Sequence, residues 1–191
     1  MSFPTMNPIT LYPYLPRPAA RTRRHALLGA LGLGLALAFA SPAQALAADH
    51  TVTVTEQVRL GVAPARAWAA IENFLAWPSW HPAFASTRLL KGDGHSAGTV
   101  RLITTRDGAP FTEELLVHDA AAHVVQYRIL GSPAPVVGYR STLSVKPDRI
   151  GSTVVWSSDF KVKAGASEAE VRKLIAGIYR QGLDNLAGAL E

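Results

Sequence analysis

The C-terminal segment constrains the rest of the chain more than any other feature. Ser167, Glu168, Ala169 and Glu170 have the pattern of a capping box. Behind them Val171, Leu174, Ile175, Ile178, Leu183, Leu186 and Leu190 fall on one stripe of a helix about six turns long. A helix with one apolar stripe must bury it against another layer, so the preceding residues have to supply that layer.

They read as β-structure. TVTVTEQVRL, from Thr51 to Leu60, alternates, placing Val52, Val54, Val58 and Leu60 on one face of a half-buried strand. Pro64 suits a first helical turn, and Trp68, Ile71 and Leu75 follow at helical spacing. The prolines of AWPSWHP are expected to end that helix and to leave at most a short second one. Between Ala85 and Val162, runs rich in β-branched and aromatic residues are separated by Gly92-Asp93-Gly94, Asp107-Gly108, Asp119 to Ala122, Gly131 to Pro135 and Pro147 to Gly151. Short connections of this kind predict a meandering antiparallel sheet. The expected fold class is therefore α+β: a curved antiparallel sheet of about seven strands wrapped around the long C-terminal helix, with one or two short helices after the first strand.

The front of the chain does not belong to that domain. Arg21, Arg23 and Arg24 precede an apolar run from Ala26 to Ala40, then Ser41-Pro42 and the small-residue series Ala43 to Ala47, the order of a secretory signal. Residues 1–47 are read as an N-terminal tail and export signal, cleaved near Ala45 or Ala47, and residues 48–191 as the domain. TRRHALL resembles a twin-arginine signal, and Ala26, where a large apolar residue is usual, leaves the Sec route open. A membrane anchor would need about 20 apolar residues, more than this glycine-containing run supplies, so no stable anchor is expected after cleavage. The location expected is periplasmic or secreted. Removing the four arginines of residues 1–45 leaves 15 basic against 14 acidic groups, a net charge near +1. The basic balance thus lies mostly in the leader and gives no basis for nucleic-acid binding. With no cysteine there is no disulfide and no thiolate metal site.

The strings APARAWAAIENFLAWPSWHPAF, GDGHSAGTVRLITTRDG, EELLVHD, YRILGSPAPVVGYRSTLSV, VVWSSDF and GIYRQGLDNL, in this order, resemble the SRPBCC superfamily, also called START-like or helix-grip, and within it the polyketide cyclase/dehydrase-type group. The resemblance implies a helix-grip fold with a cavity between sheet and helix. An export signal on such a domain is also similar to periplasmic helpers found with methanol-oxidation genes, which implies a periplasmic enzyme partner, a quinoprotein dehydrogenase.

Trp80-His81-Pro82 joins the helical insert to the sheet, where a cavity mouth would lie, and Pro82 restricts His81 to extended backbone. The family resemblance assigns Trp80 and His81 to the pocket border; the plain alternative has Trp80 in the core and His81 in water. Glu56 shares a face with Val54 and Val58, so either an irregularity turns it outward or it meets a polar group inside. Glu113 and Glu114 are consecutive, so one of them must face inward. His81, Glu56, Glu113 and Glu114 are the candidates for proton transfer, without a clear acid–base partnership. Tyr127, Tyr139, Trp156, Phe160 and Tyr179 supply large apolar bodies for a ligand wall or for plain core, three of them with an orienting hydroxyl.

Other patterns have simpler explanations. Gly94-His95-Ser96-Ala97-Gly98 matches the serine-hydrolase string, but a strand rather than a helix follows it, so a hairpin turn is expected. His118, Asp119 and His123 could approach a metal from one hairpin, yet nothing completes the set, and no metal site is expected. No haem, flavin or nicotinamide motif is present, and no cofactor is expected. The function expected is an exported protein holding an apolar lipid, polyketide-like or aromatic ligand. The alternatives are a cyclase/dehydratase-like enzyme and an accessory protein docking to a periplasmic dehydrogenase.

Overall fold

The computed structural model describes residues 50–191; the export segment read at 1–47 lies outside the described residues. The first strand, β1 (Val52–Leu60), is followed by α1 (Pro64–Ile71) and a three-residue 3-10 turn, Trp77–Ser79. Six strands come next: β2 (Phe84–Lys91), β3 (Val100–Thr105), β4 (Pro110–Asp119), β5 (Val124–Gly131), β6 (Val136–Asp148) and β7 (Gly151–Val162). The chain ends in α2 (Glu168–Leu190).

All seven strands form one curved antiparallel sheet in the order β1-β7-β6-β5-β4-β3-β2. Strands β2 to β7 are a meander, as the turn spacing predicts. β1 closes the arrangement by pairing with β7 in unbroken register from Val52↔Phe160 to Leu60↔Ser152. The strand alternation shows in burial: Val52, Val54 and Leu60 are buried, and Thr53, Thr55 and Arg59 are exposed. Ser167 caps α2 by accepting a hydrogen bond from the Glu170 amide. The buried stripe of α2 contains Val171, Ile175, Leu183 and Leu186, together with Tyr179 and Gly182. It lies against β1 and β7, so the sheet grips the helix.

One boundary differs from the sequence expectation. α1 stops at Ile71, well before the prolines, with Leu75 outside it. The cause is local: the Asn73 side chain accepts from the Leu75 amide at 3.0 Å, offering the backbone a turn in place of the next helical bond. The result is an irregular insert, residues 72–83, laid across the mouth of the grip. Among the described residues, no helix is long and apolar enough to cross a membrane.

Candidate functional site

The insert drives its apolar side chains into the space between sheet and α2. Phe74 and Trp77 are completely buried and Trp80 nearly so. The Trp77 ring is edge-on to Phe74, Tyr127 and Trp156, with ring centroids 5.9, 5.2 and 5.3 Å away. Trp80 packs against Trp77 and Trp156. From α2, Tyr179 stacks on Trp156 at 4.4 Å, so helix and sheet touch directly there. The residues expected to line a ligand wall are thus brought together: Trp80, His81, Tyr127, Tyr139, Trp156, Phe160 and Tyr179 are all buried in one aromatic enclosure.

Hydroxyl groups run through its centre. Ser141 Oγ donates to the Ser157 carbonyl at 2.8 Å. It must therefore accept from Trp156 Nε1 at 3.0 Å and from the Tyr179 hydroxyl at 3.2 Å. Tyr179, having given its proton to Ser141, accepts from the Tyr139 hydroxyl. Trp156 Nε1 also reaches the Tyr127 hydroxyl at 3.2 Å. Burial raises all three phenols well above the usual tyrosine range, which keeps them neutral donors.

His81 faces neither water nor an open mouth: it is fully buried. Its Nδ1 accepts from the Ala83 amide at 3.2 Å, so Nε2 carries the proton and donates it to the Ile178 carbonyl of α2 at 3.0 Å. Burial lowers its pKa to about 4, against the raising effect of the Ile178 carbonyl. Phe84 stacks on the ring at 4.1 Å. With both nitrogens engaged, the imidazole is a clasp between insert and helix. Asn185 reinforces it by donating to the Trp80 carbonyl at 2.8 Å.

The three carboxylates separate. Glu113 faces inward and is buried, and Glu114 faces outward in an ion pair with Arg128 at 2.5 Å. Glu56 keeps to the regular strand and meets Arg180 of α2 at the seam between sheet and helix. The partner of Glu113 is Arg101, a residue that alternation alone does not single out, although it stands directly opposite Glu113 in the β3–β4 register. Arg101 is fully buried; its Nε donates to Glu113 Oε2 at 2.8 Å, and Nη2 lies 2.6 Å from the same oxygen but out of line for a hydrogen bond. Nη1 donates to the Phe74 carbonyl of the insert. The guanidinium carbon sits 3.7 Å from the Phe74 centroid and 3.9 Å from that of Trp77. Burial lowers Arg101 and raises Glu113, each opposed by the charge of the other. Guanidinium groups do not give up their proton in proteins, so Arg101 stays charged, and its charge beside Glu113 favours the ionised carboxylate against the effect of burial.

Two indole nitrogens inside the enclosure, Nε1 of Trp77 and of Trp80, are buried without a partner. Trp77 was not among the residues singled out by sequence; a three-residue 3-10 turn carries no periodicity to mark it.

The remaining motifs resolve locally. Gly94 to Gly98 is the β2–β3 connection, where Asp93 accepts from the amides of His95 and Ser96 and from the Ser96 hydroxyl. These bonds hold the Asp93 carboxyl well below the usual range. His118 and His123 pack their rings on Trp68, with centroids 5.5 Å away in each case. Among the described residues no cluster of three metal-ligating side chains occurs.

A curved sheet closed on a long helix, with an aromatic enclosure between them, defines the START-like, or SRPBCC, class. The chain belongs, through residues 51–191, to the family described as polyketide cyclase/dehydrase and lipid transport. Similar solved structures include the protein XoxI from Bacillus cereus, 31% identical, with 73% of this chain and 94% of that chain covered and a TM-score of 0.65. An uncharacterised protein from Bacillus thuringiensis is 30% identical, covering 74% of this chain and 98% of that chain, with a TM-score of 0.64. Ara h 8.0201, at 20% identity and a TM-score of 0.63 over 74% of this chain and 98% of that chain, shares the fold alone.

Proposed function

We propose that this protein is exported and holds an apolar small molecule, a lipid, a polyketide-like compound or an aromatic compound, between the sheet and α2. One observation carries the reading: the grip encloses a nearly continuous aromatic wall with a directed string of hydroxyls at its centre. Apolar walls with a few convergent polar groups are the usual form of a small-molecule site. The guest takes its place when residues 72–83 shift outward with their rings still against it, so that the insert becomes its lid. The test is thermal unfolding of the purified protein against a library of lipids and aromatic compounds. A binder at 100 times its Kd adds about 2.7 kcal/mol of stability. That raises the melting temperature by roughly 5–11 °C for a domain of this size. No response across the library overturns the reading. Cell fractionation tests the location, with processed protein expected outside the cytoplasm.

A second reading is a cofactor-free helper that docks to a periplasmic dehydrogenase. It draws on the likeness to XoxI and on the sheet-edge strand β2, where Leu89 and Leu90 are 40% and 43% exposed. Recovery of a periplasmic enzyme on the immobilised protein, lost on changing both leucines to serine, would favour it.

A further inference from the structure

Resting on the holding function just proposed, the unpartnered polar atoms of the enclosure specify what the guest must carry. Trp77 and Trp80 present indole N–H groups, which only donate, and neither has an acceptor. No acceptor around them reaches either N–H, and the nearby carbonyls each already take a hydrogen bond from elsewhere. Phe74 O takes a hydrogen bond from Arg101, Trp80 O from Asn185, Ile178 O from His81 and Ser157 O from Ser141. Glu113 Oε2 is held by Arg101. Ser158 Oγ, also buried without a partner, can donate as readily as accept and does not alter the balance. The enclosure thus lacks acceptors rather than donors. Its charge is balanced as well, because its one cation is matched by Glu113, and a carboxylate brought inside would stand without a counter-charge.

We propose that Trp77 and Trp80 are the specificity-determining residues of this site, and that their N–H groups select a flat apolar guest bearing a neutral carbonyl-type acceptor over its hydrocarbon or carboxylate counterpart. The surrounding residues suit the flat body of such a guest, because Phe74, Tyr127 and Trp156 all pack T-shaped against Trp77 and make this region almost wholly aromatic.

Three probes of nearly equal shape test this: 2-acetylnaphthalene, 2-ethylnaphthalene and 2-naphthoate, titrated calorimetrically against the full chain. The readout is the ketone-to-hydrocarbon affinity ratio, which removes the difference in the probes' own hydration when proteins are compared. Trp77→Phe and Trp80→Phe keep an aromatic ring and remove the donor. Each is expected to lower the ratio about fivefold to tenfold, the usual worth of one neutral hydrogen bond, and naphthoate is expected to bind at least tenfold more weakly than the ketone. A ratio unchanged in both variants, or naphthoate binding as tightly as the ketone, overturns this inference and leaves the holding function standing. If no probe binds the parent protein, this inference falls, and the library screen alone decides the holding function. Should the variants fail to fold, the carbonyl stretch of bound 2-acetylnaphthalene in the parent decides. A shift to lower frequency than in hydrocarbon solvent is expected, and an unshifted band overturns the proposal.

Discussion

At the scale of single residues, Arg101 depends on one carboxylate. It is fully buried in the corner made by the rings of Phe74 and Trp77. Removing one member of a buried pair strands the other charge, at a cost of roughly 3–5 kcal/mol, whereas replacing both by apolar side chains is often neutral. Glu113→Leu should therefore lower stability by about 4 kcal/mol in urea unfolding at neutral pH, and Arg101→Met with Glu113→Leu should recover most of that loss. His81 carries a second prediction. Its pKa falls from 6.5 to about 4 on folding, so the unfolded chain binds the proton first as pH drops. The stability His81 contributes is complete above pH 6.5, declines by about 1.4 kcal/mol per unit below it, and is gone near pH 4. Urea midpoints measured from pH 7.5 to 4 should follow this slope, and His81→Gln should flatten it. These residues also mark the limit of what the sequence disclosed. The pair Glu113-Glu114 announced that one carboxylate points inward, but its partner lies on another strand, and only the strand register supplies it. The burial of His81 was hidden for a similar reason, since its cover comes from α2, some hundred residues away in sequence.

At the scale of elements, α2 contains a glycine whose place is explained only by the insert. Glycine inside a helix is about 1 kcal/mol less favourable than alanine. At Gly182, however, a Cβ would lie 2.4 Å from His81 Cδ2 and 3.2 Å from the Trp156 ring. Gly177 and Gly188, on the same helix, have nothing within 4 Å of that position. The three alanine variants should then differ in sign. Gly177→Ala and Gly188→Ala should stabilise by about 0.5–1 kcal/mol, and Gly182→Ala should destabilise by about 1–3 kcal/mol, because it overpacks the clasp. Melting temperatures of the three set side by side decide it. Elements with strong periodicity were legible in advance: the β1 alternation, the capped stripe of α2 and every hairpin turn stand where the patterns placed them. The end of α1 was not, because the Asn73 side chain acts before the prolines do.

For the whole molecule, the question is how a space so fully occupied by its own rings admits a guest. Swinging the insert away would expose Phe74, Trp77 and Trp80 together, roughly 500 Å² of apolar surface and on the order of 10 kcal/mol. A domain of this size has about that much stability in total. Complete release is therefore as costly as unfolding, and the insert must stay in contact with the interior while a guest enters beside it. Native-state hydrogen exchange can test this consequence. The amides of Trp80, His81 and Ala83, bonded to Trp77 O, Trp77 O and His81 Nδ1, belong to the insert. They should open within about 2 kcal/mol of the β6–β7 ladder rather than as a separate low-energy unit. Because entry needs a rare partial shift, guest association should also be slow, below about 10⁵ M⁻¹s⁻¹, and should quicken as mild urea loosens the clasp. Insert amides exchanging many kcal/mol below the ladder would mean that the three rings leave the interior independently. The insert would then be a displaceable plug, and Trp77 and Trp80 could not form the wall that meets the guest.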